Sequence, residues 1–343
     1  MGSSPMTGRE RVTRTLRFEN PDRAPRDLWA LPGIQMFRQE ELDRLLAQYP
    51  ADITGPDFAY GVAERARGVP AEVGTYIDEW GCVWEVGEPG VIGEVKSAPL
   101  DDWAALATYK APWEVLENAD FSHVNEGCAH SNKFILAPAT AARPFERMQF
   151  LRGTENLMID LAYGTKEVMQ LRDLVHAYMV REIELWAKTD VDAIGYMDDW
   201  GAQNQLLISP KMWRELFKPL YAEYIDIIHS AGKFAFMHSD GHIAAIYPDL
   251  IEIGVDALNS QLFCMDIEDL AEKYKGKITF WGEIDRQNLL PFGTPAEVKA
   301  GVRRVRRALD DGRGGVIAEC EWGMDVTADN VAAVFEAWLE PLD

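Results

Sequence analysis

The sequence is short of several things, and each shortage excludes something. Lys and Arg number 34 against 56 Asp and Glu, a formal net charge of −22. A chain so poor in positive charge has no surplus of cations to neutralise a phosphate backbone or to settle on an anionic bilayer. Nucleic-acid and membrane-surface partners are therefore not expected. Long apolar runs are also missing: none approaches the ~20 residues that a membrane-spanning helix needs. Only four cysteines occur, Cys82, Cys128, Cys264 and Cys320, and no two of them form a CxxC pair. Met1–Pro5 has neither the basic nor the apolar region of a secretory signal, and reads as an expression leader ahead of a start at Met6. Reduced thiols in the cytoplasm are the expectation.

What is present is an ordinary apolar fraction, 47%, on 343 residues, enough for two average domains or one large α/β barrel. From residue 193 onward, short apolar runs alternate with helical patterns. The runs are Ala193–Met197, Phe234–Met237, Ala257–Asn259, Ile278–Trp281 and Val316–Ala318. Between them, Ser209-Pro210 caps a helix carrying Trp213, Leu216, Phe217, Leu220, Tyr224, Ile227 and Ile228 up to Gly232. Further helices are expected over 243–253, 267–275 and 328–339. Thr294-Pro295-Ala296-Glu297 is a capping box opening a helix that stops at Gly312. The runs are apolar throughout, as in a parallel sheet buried on both faces.

Three more strands, Pro25–Leu31, Ala51–Thr54 and Phe134–Ala137, bring the total to eight. That predicts a single (β/α)₈ barrel over 6–343. A doubly wound sheet would carry a Gly-rich turn after its first strand, and none is there. Two additions are expected: a capped helix over 7–19, with Thr7 and Glu10 as a capping box, and a long insertion after strand two. The insertion spans 61–130 and contains Asp78-Glu79-Trp80-Gly81-Cys82-Val83-Trp84, which reads as a hairpin.

Barrel chemistry gathers where strands run into their following loops. The residues at those points are Trp29, Asp57, Thr140 with Arg143, Asp198-Asp199-Trp200 with Gln203, His238 with Asp240, Asn259 with Gln261, Glu283 with Asp285, and Cys320-Glu321. Imidazole, thiol and carboxylate are all metal-ligand types. His238 and Asp240, two apart on an extended strand end, point to one side, and Cys320 could complete a zinc site of His, Asp and Cys. On spacing alone, a hydrogen-bonded histidine beside an inert buried cysteine is the simpler reading, because one His-x-Asp is a weak motif. Of the neighbouring aspartates, Asp198 is expected to face the pocket for acid–base work and Asp199 to be a loop or cap residue. Trp29, Trp200 and Trp322 would supply apolar walls, and Gln203, Asn259 and Gln261 fixed polar contacts.

Several segments spread along the chain carry a resemblance. They are Met6–Val12 with Asn20–Pro25, Asp78–Trp84, Asp198–Gln203 with Ser209-Pro210, Gly232–Ile243, Gly254–Asn259, Gly282–Asp285 with Gly293–Pro295, and Asp329-Asn330. In these the chain resembles the uroporphyrinogen decarboxylase superfamily, and within it the cobamide-dependent methyltransferases rather than the true decarboxylases. The resemblance implies the same (β/α)₈ barrel, and a homodimer is common in the superfamily. True decarboxylases hold an octacarboxylate tetrapyrrole with an Arg-rich loop after the first strand. Here that region, Trp29–Gln35, contains no arginine, so uroporphyrinogen is not the expected substrate.

The superfamily's zinc methyltransferases use a His-x-Cys pair and a distant Cys. By that resemblance His238 stands at the histidine, Asp240 at the first cysteine and Cys320 at the second, with Glu283 as a possible fourth ligand. Asp in place of Cys makes a harder site, which suits an oxygen ligand better than a thiol. The implied reaction moves a methyl group from a small methoxy-type donor to the Co(I) corrinoid (cobamide) of a partner protein. Zn²⁺ would polarise the leaving oxygen, with Asp198 and Asp240 as catalytic carboxylates. No Asp-x-His-x-x-Gly segment is present, so the corrinoid would arrive on a separate chain. Two alternatives stay open: a metal-free decarboxylase or lyase using Asp198 and Arg143 on a small carboxylate, and a non-catalytic binding barrel.

Overall fold

The computed structural model describes residues 5–141 and 143–341, so most of the expected leader, residues 1–4, lies outside it. The strands are β1 (Trp29–Ala30), β2 (Ile53–Thr54), β3 (Gly74–Ile77), β4 (Val83–Val86), β5 (Glu94–Ser97), β6 (Phe134–Ala139), β7 (Ala193–Met197), β8 (Phe234–Ser239), β9 (Ala257–Ser260), β10 (Thr279–Trp281), β11 (Val316–Ile317) and β12 (Glu321–Trp322). Seven of them form one curled sheet in the order β11-β10-β9-β8-β7-β6-β2. Its pairings are parallel, with Met197 opposite His238 and His238 opposite Asn259. The remaining gap is closed by β1. It pairs in parallel with β12, and a bridge joins Arg26 to Ala318. On its other side Asp52 N donates to Arg26 O at 2.8 Å. The chain is therefore the expected α/β barrel, and each expected strand is found.

One device recurs at the N-terminal end of the barrel. Asp52, Asp192 and Asp256 each stand immediately before a strand. Each accepts the N–H of a residue on the preceding strand segment, Arg26, Ile135 and Ala235 respectively, at 2.7 Å. Each also carries a cationic neighbour: Arg11 and Arg23 for Asp52, Arg9 for Asp192 and His229 for Asp256. A short carboxylate at that point takes a strand-end donor that has no ladder partner, which fixes register.

Differences from the sequence expectation follow proline and capping chemistry. The helix opened by Ser209 breaks at Phe217 into Pro210–Leu216 and Lys218–Ser230. Pro219, without an N–H, cannot sit inside one continuous helix. Around Pro248, the helix expected over 243–253 is a 3₁₀ turn, Ala244–Ile246, followed by Tyr247–Ile253. Thr294 and Glu297 make the full reciprocal capping box. At Thr7 only half is made: its side chain accepts from Glu10 N, while Glu10 turns to Arg14 at 3.1 Å.

The insertion opens with a three-stranded antiparallel sheet, β3-β4-β5, rather than a lone hairpin, and continues through short helices at Trp103–Ala107, Trp113–Glu117 and Val124–His130. Asp78 holds the sheet. One carboxylate oxygen accepts from Trp80 N and Cys82 N, at 3.0 and 2.8 Å. The other accepts from Trp84 Nε1 at 3.0 Å and from Arg147 Nη1 at 2.6 Å. That explains the run from Asp78 to Trp84, and it docks the sheet onto the helix Pro144–Arg152. All four cysteines are free, and no helix of the described residues is long and apolar enough to cross a membrane.

Candidate active site

The site is built where β7 and β8 end. Two glycines bring their loops together. A Cβ on Gly201 would lie 2.5 Å from Asp240 O, and one on Gly241 2.3 Å from Gly201 O; Gly241 also has a positive φ of 76°. Only glycine tolerates that approach. Gly201 N then donates to Asp240 O, and His242 N to Ala202 O. The loops are thereby locked so that Asp199, His238 and Asp240 face one another.

His238 Nε2 lies 3.5 Å from Asp199 Oδ1 and 3.4 Å from Asp240 Oδ1. The three candidate ligand atoms all fall within 4.8 Å of one another. On its other nitrogen, His238 Nδ1 lies 2.7 Å from Asn259 Oδ1, and the Asn259 amide is itself oriented by donating to Trp281 O at 2.7 Å. Nδ1 is therefore the donor and Nε2 is the nitrogen left for the carboxylates or for a ligand. Burial alone would lower the His238 pKa. The paired carboxylates outweigh it and hold the imidazole well above its ordinary value. Trp29 packs against the ring, with centroids 5.1 Å apart.

These groups suit a divalent cation. A tetrahedral shell with bonds of about 2.0–2.1 Å puts neighbouring ligand atoms about 3.4 Å apart, close to the distances just given. Asp240 Oδ1 is buried and accepts no hydrogen bond, although it points at the histidine. An N,O,O donor set with the histidine held through its second nitrogen is the usual build of a metal site.

The carboxylate expectations exchange places. Asp198 is wholly buried and accepts from Phe145 N at 2.7 Å, Glu146 N at 2.9 Å and Tyr221 OH. It caps the N-terminus of the helix Pro144–Arg152 from a distance, and burial pushes its pKa up to about 7 against those hydrogen bonds. Asp199, expected to be a loop residue, faces His238 instead. Cys320 and Glu283 are not in the His–Asp–Asp cluster. Cys320 is buried, and its thiol donates only to Glu321 O at 3.7 Å. Side chains alternate along an extended segment. Glu319 and Glu321 point inward, to Asn259 and Arg286, so Cys320 between them points away.

Glu283 is buried beside Arg286, with Nε–Oε2 at 3.5 Å. Trp200 and Trp322 are fully buried, packed against other side chains rather than forming exposed pocket walls. Trp200 stacks on Phe145 at 4.0 Å, and Trp322 lies under Arg38 at 5.0 Å. Asn259 supports the histidine. Gln203 and Gln261 line a crevice of only 30 Å³ together with Glu283 and Arg286. Arg143 pairs with Glu146 at 3.0 Å. It also lines a cavity of 450 Å³ under the insertion, with Tyr76, Trp84, Arg147, Phe150 and Met197.

Two site residues escape the strand-end reading. Arg286, three residues past Glu283, donates to Asp240 Oδ2 and to Glu321 Oε1, the latter at 2.5 Å. Its signal is that it is the one basic residue in an otherwise acidic Gly282–Arg286 loop. Glu146 sits in the first helical turn after Arg143, and burial, then the charge of Asp199, raises its pKa to about 8. Nothing in its local sequence marks it.

Residues 104–340 match the uroporphyrinogen decarboxylase (URO-D) family. The chain belongs to that family. A solved methyltransferase from Methanosarcina mazei has the same fold, with a TM-score of 0.68 at 18% identity, covering 97% of this chain and 98% of that one. A glycosylated endo-β-1,4-xylanase from Gloeophyllum trabeum (TM-score 0.45, 10% identity, covering 95% of this chain and 99% of its own) and a chitinase from Chromobacterium violaceum (0.43, 13%, 93% and 100%) are more distant. No curated protein matches the sequence.

Proposed function

We propose that this URO-D family member is a metal-dependent methyltransferase. It moves a methyl group from a small methoxy-type donor to the Co(I) corrinoid of a partner protein. The observation that carries the reading is the Asp199–His238–Asp240 cluster at the mouth of the barrel, with ligand-like spacing and a buried Asp240 oxygen that accepts no hydrogen bond. The fold shared with a methyltransferase supports it.

The ligands are His238 Nε2 and one oxygen each from Asp199 and Asp240, in place of the sulfur-containing set inferred from the sequence. Zinc is the first candidate, and a bound ion would supply Lewis-acid polarisation of the leaving oxygen. Asn259 keeps the proton on His238 Nδ1, so that Nε2 stays directed at the cluster. The cavity under the insertion, with its aromatic walls, fits a small donor rather than a macrocycle. Burial raises Asp198, Glu146 and Glu283 alike to about 7–8; Glu146, raised also by the charge of Asp199, is the group we assign to protonate the leaving oxygen.

The test is metal analysis of the purified protein, followed by an anaerobic assay. Cob(I)alamin is mixed with enzyme and methoxy compounds, and its absorbance is followed. The expected result is about one zinc per chain and donor-dependent loss of the Co(I) spectrum. A protein that takes up no divalent ion, or that releases CO₂ from a carboxylate substrate while leaving Co(I) untouched, overturns the reading.

A further inference from the structure

We infer that Arg286 is a positioning residue for the cation site: it pins Asp240 so that only one carboxylate oxygen is offered to the ion. The inference rests on the metal-site reading above. Arg286 lies in the loop after β10. Its Nη2 donates to Asp240 Oδ2, after β8, and its Nη1 donates to Glu321 Oε1, in β12, at 2.5 Å. Its Nε faces Glu283 Oε2 at 3.5 Å. One guanidinium therefore ties three strand ends together across the barrel mouth.

The division of Asp240 is the decisive detail. Oδ2 is taken by Arg286, while Oδ1 is buried, accepts nothing and lies 3.4 Å from His238 Nε2. A free carboxylate beside a divalent ion can bind through both oxygens. With Oδ2 held in a charge-assisted hydrogen bond, Asp240 is restricted to one bond. Asp199 is held differently: its Oδ1, the oxygen that faces His238 Nε2 at 3.5 Å, is also the one that accepts Asp240 N at 2.9 Å. With Asp240 limited to one oxygen, a coordination position stays open for a substrate oxygen, which a chelating Asp240 would fill. Arginine is required rather than lysine, because only a planar fork can hold two carboxylates in fixed directions at once.

The experiment measures ion binding rather than turnover. Zn²⁺ dissociation constants come from competition with a chromophoric chelator. Ligand geometry comes from the visible absorption of the Co²⁺-loaded protein. Compared are wild type, Arg286→Met, Arg286→Lys, Glu321→Gln, Asp240→Asn and the double variant of Arg286→Met with Asp240→Asn.

Loss of a residue that orients a ligand weakens metal binding by about 10–100-fold. That is expected for Arg286→Met and for Arg286→Lys, with a smaller loss in the same direction for Glu321→Gln. In the Asp240→Asn background, adding Arg286→Met should change the affinity less than about twofold, because Arg286 acts through Asp240. The Co²⁺ absorption of Arg286→Met should fall in intensity as Asp240 takes up a second bond. Equal Zn²⁺ affinity in wild type, Arg286→Lys and Glu321→Gln overturns the inference. So does an undiminished Arg286→Met effect without Asp240. Wild type that binds neither ion overturns the metal-site reading itself, and this inference with it. Should Arg286→Met fail to fold by circular dichroism, the Lys and Glu321→Gln variants decide alone.

Discussion

The two ends of the barrel are built from the same residue types and put them to opposite uses. At the N-terminal end, carboxylates are matched. Asp52 receives Arg11 at 2.5 Å, Arg23 at 2.7 Å and a backbone N–H, and Asp192 and Asp256 repeat the pattern with Arg9 and His229. At the C-terminal end, carboxylates outnumber cations. Glu283 and Glu319 each keep a buried oxygen without a hydrogen bond, Asp240 Oδ1 faces only His238 Nε2 at 3.4 Å, and Arg286 is shared among three acids. A satisfied network fixes a fold, whereas buried polar atoms left open are costly unless something binds them. The difference matches what this architecture leads one to expect, function at the C-terminal face and stability at the other.

The largest expected effect breaks the C-terminal end outright. Replacing His238 or Asp199 by Ala removes one of three ligands. Zinc content should fall from about one per chain to near zero, and methyl transfer by roughly three orders of magnitude or more, while the thermal midpoint of the metal-free protein stays within a few degrees. Asn259→Ala should be milder, about 10–100-fold in zinc affinity, because it disturbs only the histidine's orientation. Metal analysis and the Co(I) assay check both. Full zinc in His238→Ala would remove the site.

Next in size is the opposite end. Asp52→Ala leaves the buried Arg11 guanidinium without its inner partner and Arg26 N without an acceptor. Breaking one side of a buried pair costs about 3–5 kcal/mol. Urea unfolding should show a loss of that size, while zinc content in the folded fraction is unchanged. Asp78→Ala is expected to cost a similar amount, but locally. It frees Arg147 and the Trp80–Trp84 turn, so proteolysis should cut first within the insertion.

Much of this contrast was legible in the sequence, for a physical reason. Strands buried on both faces must be short apolar runs, and a barrel puts function at their ends, so β6 to β11 and the position of His238 follow directly. The long helix Lys166–Ala187 shows no clean stripe, because its buried face includes Glu182 along with Val175, Tyr178 and Trp186. The Asp198–Asp199 choice turned on which way a loop leaves β7, and the close approach of Gly201 to Gly241 sets that in three dimensions only. Cys320 lies outside the cluster because the phase of alternation after β11 is fixed by pairing with β1, not by residue type. Arg286 and Glu146 reach the site from beyond the strand ends, where no periodic signal points inward.

Cys320 itself gives a smaller test of the comparison. It is buried, and its side chain lies outside the cluster. Cys320→Ala should keep the full zinc content and cost only about 1–2 kcal/mol of stability as a small cavity. A matching loss of zinc would restore the thiol as a ligand.

The smallest effect is a pH dependence with opposite signs at the two ends. Hydrogen bonding from Arg11 holds Asp22 below the ordinary aspartate value. A lowered carboxylate pKa means that the unfolded chain binds more protons. The stability Asp22 lends is therefore complete above about pH 4, and it is lost as pH falls through the folded value. At the C-terminal end Glu146 is raised to about 8, first by burial and then by Asp199. Here the folded chain binds more protons, so stability falls as pH rises from about 4.5 to about 8. In metal-free protein the melting temperature should therefore slope down over that range. Glu146→Gln should flatten the slope and raise the midpoint at pH 8, and Asp22→Asn should change only the acid limb. If Glu146→Gln leaves the slope above pH 5 as it was, the strain at the open end does not reside in this carboxylate.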